Sequence, residues 1–544
     1  MLVKFDFFAA KAARSDAKPA PWRRPFLLWL DGIEKGWGVP LLIAAFCAIW
    51  WLFLIVAYSG ASLHPDVLET WTLGREFAWG NAKHPPLMGW IARAWSTVFP
   101  LTDWSFQLLA MVNAGIALWA VDLVACRFVR GDKRVVILLL LMLMPVYQFH
   151  AQRFNANSVQ LAVWPLATYC FLRAFESRQL GWSIATGALC AFAMLGKYYS
   201  IFLVASFVIA ALCYPGRRAY LTSASPWVST LAGFVVLAPH IYWLATTGAK
   251  PFQYAMQIHG GVAFERSLEE VAMFLLGLAA ALAIPALVWV LTAGWRLKQF
   301  PADFRAMPPG LLLLLWVFAG TIVFPAITTV AVGTDMPSMW ALQGLFLVAI
   351  LIVCGARFPI ERFYTVNLTL VVAAIAVVAV TVAAPWHALE RHAHRSNDRA
   401  FLRPAALELT RLWHEASDQP LSAVSGDDAL AFATAFYSPD HPRYRRPFQY
   451  QYTWGMPRAT TLGKGWAAMC FAEDAACLDW MGKVTGRAPY FIRSEFTLKP
   501  VLWGREGASA RIVALVVPPQ EFSKPAAPAS HEELDEFGAS RRRR

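Results

Sequence analysis

Apolar residues in this chain gather in blocks. From about residue 39 to residue 384, runs of roughly 17–25 residues, the length a helix needs to cross hydrocarbon, alternate with short polar or basic connectors. Backbone groups in lipid must find partners inside their own segment, so such blocks read as helices. The pattern predicts about eleven spans, at 39–58, 104–125, 135–149, 158–175, 182–196, 198–214, 227–247, 268–294, 311–331, 340–356 and 364–384, the third and fifth of them short. The first 38 residues are polar, basic and interrupted, which reads as a cytoplasmic tail and not as a cleavable signal. After Pro385 the pattern changes. Arg399 to Ala416 has the spacing of an amphipathic helix, and Pro489 to Arg493 and Ala510 to Val517 read as strands. The expected organisation is a tail at 1–38, a membrane domain at 39–386 with a long first outer loop at 59–103, a small α/β domain at 387–520, and a disordered Pro/Ala-rich charged tail at 521–544.

Charge orients this arrangement. With the N-terminus inside, about twenty lysines and arginines fall in inside segments. About seven fall outside: Arg75, Lys83, Arg93, Arg153, Lys197, Lys250 and Arg266. An odd number of spans then places the C-terminal domain outside. The net charge of +13 is explained by this bias, and no nucleic-acid partner is inferred from it. Of the 544 residues 58% are apolar and only 15% charged, against about 25% charged in soluble domains; the mean hydropathy is +0.45. Cys470 and Cys477 are the only cysteines of the C-terminal domain. In an oxidising compartment they form a disulfide, and otherwise they are free thiols; the sequence leaves both open. No CxxC or HExxH spacing suggests a metal site.

The candidate chemistry lies in the first outer loop. Asp66 falls where the first apolar block gives way to the loop, and Val67 to Trp79 has the spacing of a helix lying in the membrane interface, with Leu68, Trp71 and Phe77 on one side. Ile91, Trp95 and Val98 suggest a second such helix. His84-Pro85-Pro86 is a rigid turn that fixes the direction of Lys83 and His84. A group transfer needs a base for the acceptor proton and cations for a leaving phosphate. Asp66 suits the first role, and Lys83, His84 and Arg75 suit the second. The plainer reading makes Asp66 a helix cap and Lys83 a snorkelling side chain. Further along, Arg153, Asn155 and Asn157 share a short outer connector, and their groups suit phosphate and sugar hydroxyls. His240, near the end of the seventh block, reads first as a packing residue. The stretch Gly248 to Ser267, with His259, reads as a lid or an ordinary loop, and Asp335 and Trp340 border the last outer loop.

Asp66 followed by the His84-Pro85-Pro86-Leu87 turn, in a chain of many apolar helices, resembles the GT-C superfamily of membrane glycosyltransferases. The likeness is to the bacterial family-39/83-like enzymes, which include protein O-mannosyltransferases, the aminoarabinose transferase of lipid A and RgtA/B/C/D-like galacturonosyltransferases. Gly196-Lys197-Tyr198-Tyr199 resembles the Lys-Tyr element of those enzymes. The resemblance covers roughly residues 39–380. It implies a polyprenyl-phosphate sugar donor and a periplasmic acceptor: lipid A, lipopolysaccharide core, another lipid or glycan, or a protein. It also implies inversion at the anomeric carbon and residence in a bacterial inner membrane with the site on the periplasmic side, among membrane lipids. Asp66 would be the catalytic base, and Lys83, His84, Arg153, Asn155, Asn157, Lys197 and Tyr198 would hold the donor's phosphate and sugar, with Glu69, Arg75, His240 and His259 as further candidates. Two departures stand out. Many relatives have Asp-Glu where this chain has Asp66-Val67, with Glu69 one helical turn on, and Asn157 stands where relatives often carry a second acid. A divalent-cation cofactor is therefore left open. The alternative function is a transporter or flippase of lipid-linked sugars, which would show internal repeats and mid-membrane charges; neither is seen in the sequence. A third reading, a receptor or assembly protein working through its C-terminal domain, would be indifferent to Asp66→Asn.

Overall fold

The computed structural model describes residues 24–81, 83–394, 398–445, 463–485 and 490–519. Most of the expected N-terminal tail, Pro489 and the tail at 521–544 lie outside the described residues. The tail is not featureless where it is described: Arg24–Glu34 forms helix α1, with Trp29, Leu30 and Ile33 buried. Its apolar residues recur on one face at helical spacing, a pattern hidden in the sequence by the basic and Pro-rich residues before it.

Helix α2 (Gly38–Ala57) leads into the long loop, which holds α3 (Pro65–Gly74) and α4 (Leu87–Ser96). The bundle continues with α5 (Asp103–Ala125), α6 (Asp132–Met142), the single turn α7 (Pro145–Gln148), α8 (Val159–Ser177), α9 (Leu180–Gly196), α10 (Ile201–Cys213), the short α11 (Arg217–Leu221) and α12 (Ser225–Thr247). After α13 (Lys250–His259) come α14 (Phe264–Ala293), the short α15 (Phe300–Arg305), α16 (Pro309–Val332), α17 (Phe346–Gly355), α18 (Arg362–Val378) and α19 (Ala384–Ala393). A helix thus stands at each of the eleven predicted places. Among the described residues six helical segments are long and apolar enough to cross a membrane by themselves, or seven if the bent pair at α6 and α7 is one span. The bend of 72° has a local cause. Pro145 has no N–H to donate, and Met144 before it is extended (φ −76°, ψ 137°), so the third predicted span breaks there. By composition the chain reads as a multi-pass membrane protein.

The two loop helices cross closely because their contact is glycine on glycine. A Cβ on Gly74 would stand 2.2 Å from the Gly89 carbonyl oxygen, and one on Gly89 would stand 2.6 Å from the Gly74 Cα. Beyond α19, α20 (Arg399–Ala416) matches the predicted helix in both bounds, and α21 (Asp428–Tyr437) follows β1 (Ala423–Gly426). With β2 (Arg443–Tyr444), β3 (Trp466–Phe471), β4 (Ile492–Leu498) and, after the small hairpin of β5 (Val501–Leu502) and β6 (Arg505–Glu506), β7 (Ala510–Val517), they complete a mixed sheet of order β2-β1-β3-β7-β4. β1 pairs in parallel with β2 and β3, and β7 is antiparallel to β3 and β4. Cys470 on β3 is disulfide-bonded to Cys477 on the helix Ala475–Thr485, which answers the question the sequence left open.

Candidate active site

The loop enters α3 through His64-Pro65-Asp66. Pro65 takes the first helical position, where its missing N–H has no helical partner to lose. His64 caps the helix, its Nδ1 accepting the Asp66 backbone N–H at 3.2 Å. A ring nitrogen that accepts carries no proton, so His64 is neutral with its proton on Nε2. Burial pushes its pKa down to about 4, opposed by the Asp66 carboxylate and reinforced by Arg153 and Arg399.

Asp66 is therefore not the capping residue of the plainer reading, since His64 does that work. Its side chain is 42% exposed, with Oδ1 3.6 Å from His64 Nδ1, and its Oδ2 accepts a hydrogen bond of 3.0 Å from Asn155 Nδ2. The Asn155 amide cannot flip freely, because its oxygen accepts the backbone N–H groups of Asn157 and Ser158, each at 3.0 Å, at the entrance of α8. Asn157 in turn accepts from Lys197 Nζ. Lys197 sits at the C-terminal end of α9, where the helix dipole favours a cation, and its Nζ lies 3.9 Å from the Trp340 ring centroid. Asp66, Asn155, Asn157, Lys197 and Trp340 thus form one continuous row. Arg153 is exposed beside it. Among the described residues neither Lys197 nor Arg153 is paired with a carboxylate.

The Pro-Pro turn is organised by Asn81, whose Oδ1 accepts the backbone N–H groups of Lys83 (3.0 Å) and His84 (2.7 Å). Lys83 Nζ is paired with both carboxylate oxygens of Glu69, at 2.9 and 3.0 Å. Glu69 is 5% exposed, so this pair ties the turn to α3 and offsets much of the lysine's charge. Arg75 turns away from this row. Its Nη1 donates to the carbonyls of His441 (2.6 Å) and Pro442 (3.1 Å), and burial lowers its pKa. His240 uses both ring nitrogens, Nδ1 on the Trp79 carbonyl (2.6 Å) and Nε2 on the Tyr198 hydroxyl (2.9 Å). The carbonyl can only accept, so Nδ1 carries the proton and the Tyr198 hydroxyl donates to Nε2. His259 Nδ1 is 2.6 Å from Asp335 Oδ1, and the Asp335 N–H donates back to the His259 carbonyl at 2.9 Å. Among the described residues no group of three or more His, Cys, Asp or Glu side chains converges as a metal-ligand set.

Several important residues escape sequence reasoning. The sheet domain is seated on the long loop between α2 and α5. Tyr437 OH donates to Asp103 Oδ1 (2.6 Å) and accepts the Leu63 N–H (2.9 Å), Phe436 packs edge-on against Trp71 at 5.4 Å, and Arg399 Nε donates to the Ser62 carbonyl (2.9 Å). The guanidinium of Arg399 covers the Tyr58 ring at 3.9 Å, and burial lowers its pKa. No local pattern pairs residues more than 300 positions apart. His64 had a signal, since it stands directly before the Pro that opens α3.

The fold has counterparts among solved structures. ArnT from Cupriavidus metallidurans bound to undecaprenyl phosphate superimposes with a TM-score of 0.55 at 14% identity, over 88% of this chain and 98% of that one. The same protein in the apo state gives 0.54 at 13% identity, with the same coverage. The chain has a GT-C fold. Independently, residues 83–243 match the family of dolichyl-phosphate-mannose-protein mannosyltransferases. That segment holds Lys83, His84, Arg153, Asn155, Asn157, Lys197 and His240, and Asp66 lies upstream of it. No curated protein matches the chain. The resemblance to GT-C glycosyltransferases read from the loop motif is thus met by both comparisons.

Proposed function

We propose that this chain is a membrane glycosyltransferase that moves a sugar from a polyprenyl-phosphate carrier to an acceptor at the outer face of a bacterial inner membrane. One observation carries the reading: a carboxylate fixed by an amide at a half-open rim, joined through Asn155 and Asn157 to a lysine that has no carboxylate of its own. Buried or interfacial cations without anionic partners are costly, and a lipid-borne phosphate is the anion such a place suits. The solved ArnT structure of the same fold holds undecaprenyl phosphate, which supports a carrier of this class.

In this reading the acceptor hydroxyl gives its proton to Asp66 as its oxygen attacks the anomeric carbon. The bond from that carbon to the phosphate oxygen breaks, and the phosphate keeps the electron pair. Lys197 and Arg153 offset the charge that grows on the phosphate, while Asn155 and Asn157 hold base and lysine at a fixed separation. Lys83, through Glu69, and Tyr198, through His240 of α12, shape the walls from the loop and from the turn between α9 and α10. His84 stands in the same turn as Lys83. Inversion follows from one displacement, as the family resemblance implies. The test compares the glycolipids, lipid A and glycoproteins of the envelope by mass spectrometry with wild type, with Asp66→Asn and without the gene. A sugar present only with wild type is the expected result; identical profiles in all three would overturn the proposal.

A further inference from the structure

The fold leaves eight buried side-chain polar atoms without a partner among the described residues, and four of them, His150 Nε2, Tyr199 OH, Thr334 Oγ1 and Gln343 Oε1, belong to residues tied to one neighbourhood. It is the neighbourhood of Lys197 and Trp340. The Tyr199 ring meets the Trp340 ring edge-on at 6.1 Å. The Gln343 amide nitrogen is used on the Trp340 carbonyl, which leaves its oxygen over. His150 lies within electrostatic reach of Lys197, Arg153 and Asp66. Thr334 pairs through its backbone with Gly260, beside the His259–Asp335 contact, and His259 stands edge-on to Trp340 at 4.8 Å. Tyr199 is 6% and Gln343 2% exposed.

Leaving a buried donor or acceptor unmet is among the more expensive things a fold does, and unmet groups in native structures call for an explanation. Scattered singly, these four would be local imperfections. Gathered at the end of the row that begins at Asp66, they share one explanation. We propose that the Trp340 enclosure is the subsite for the sugar ring of the carrier, with Tyr199 OH, Gln343 Oε1 and His150 Nε2 taking up its hydroxyl groups while Lys197 meets the phosphate. The occupant is a ring bearing several hydroxyls. Hydroxyls both donate and accept, which suits an orphaned amide oxygen, a phenol and an imidazole together. The four atoms have almost no exposed surface, so entry requires the segments around His259 and Asp335 to part. They are joined by that side-chain pair, by the Asp335 N–H on the His259 carbonyl and by the Val262 N–H on the Gly333 carbonyl, each of the two backbone bonds at 2.9 Å.

This inference rests on the transferase reading, and its test separates the two. Purified full-length protein in nanodiscs is titrated, by native mass spectrometry, with the polyprenyl-phosphate fraction of the source cells before and after mild acid has removed its sugars. Wild type is expected to bind the glycosylated fraction at least tenfold more tightly than the bare carrier. Tyr199→Phe and Gln343→Leu should each lose about fivefold or more of that preference while binding bare carrier as wild type does. Tyr199→Phe removes an atom with no partner, so its melting temperature should stay level or rise. If wild type binds no carrier of either kind, the transferase reading itself falls, and the subsite with it. If wild type binds both forms alike, if the variants keep the preference, or if they weaken both forms equally with a lower melting temperature, the sugar subsite is wrong and the transferase reading stands.

Discussion

Asn155 donates a hydrogen bond of 3.0 Å to Asp66 across 89 residues of chain, and the oxygen of the same amide fixes the entrance of α8. Orientation of the proposed base and entry into a helix therefore depend on one side chain. Asn155→Ala should cost about 1–2 kcal/mol through the lost hydrogen bonds to the Asn157 and Ser158 N–H groups and lower turnover roughly 10–100-fold with the base misdirected. Asn155→Asp keeps an acceptor for the two backbone N–H groups but sets a second carboxylate against Asp66. Two carboxylates at that distance resist joint ionisation, so the acidic limb of the pH–rate profile should move to higher pH. A profile unchanged from wild type would separate Asn155 from the base.

His64 makes a second pH dependence, this one of stability. Its folded pKa is about 4 against an ordinary 6.5, chiefly because it is buried. Between those values the unfolded chain binds the proton more readily than the folded one, so the contribution is fully present above pH 6.5 and is lost as pH falls toward 4. The slope is bounded at about 3 kcal/mol over that window. His64→Asn retains a side-chain oxygen to cap α3 and has nothing to titrate. Its melting temperature should fall less than that of wild type between pH 6.5 and 4.5, as followed by scanning fluorimetry in detergent.

How much of this was legible beforehand depended on whether the cause was local. The apolar blocks, Arg399–Ala416 and Ala510–Val517 obey short-range periodicity, and the helices and strand appear where the spacing puts them. The Asp66 and His84-Pro85-Pro86 pattern marked the start of α3 and the turn before α4, because proline and a capped turn act within a few residues. Other features escaped because their causes are not local. Lys83 was read as a cation for the carrier, and no local pattern announces that its ammonium is also paired with both carboxylate oxygens of Glu69. Arg75 was grouped with it, although its partners are carbonyls at 441 and 442. The break at Met144 was the opposite case. Pro145 was in plain view, but a continuous apolar run outweighed it.

The disulfide between Cys470 and Cys477 ties β3 to the helix that follows it, closing a loop of sequence separation 7. A ring of that size restricts the unfolded chain by roughly 2–3 kcal/mol. Both sulfurs are buried, each cysteine at 0% exposure, beside Met481 and Leu515, so the Cys477→Ala variant also loses packing. Reductant or Cys470→Ala/Cys477→Ala should lower the melting temperature of the sheet domain, as seen by limited proteolysis of residues beyond 400. The variant should leave carrier binding unchanged, because the Asp66 row lies on α3, α9 and the connectors beside α8 and α17, and Cys470 lies on β3.

The sheet domain reaches the loop of the proposed base through Tyr437, and this contact yields the sharpest separation of structure from catalysis. The Tyr437 hydroxyl stands between the Leu63 N–H and the Asp103 carboxylate, and burial, then the neighbouring Asp103, drives its pKa far up, so it stays protonated and able to donate. Leu63 is three residues before Asp66 and one before the capping His64. Tyr437→Phe keeps the ring packed against Phe436 but leaves a backbone N–H and a carboxylate oxygen without this partner, a cost of about 1–3 kcal/mol. If the domain only adds stability, the variant melts earlier and turns over normally at low temperature. If the domain holds the loop in register, kcat falls tenfold or more at a temperature where the protein is still folded, while KM for the carrier changes little, since Lys197 and Trp340 lie on other elements. Steady-state kinetics well below the melting transition, with Tyr437→Phe beside Arg411→Ala on the exposed face of α20 as a control, should give the second result.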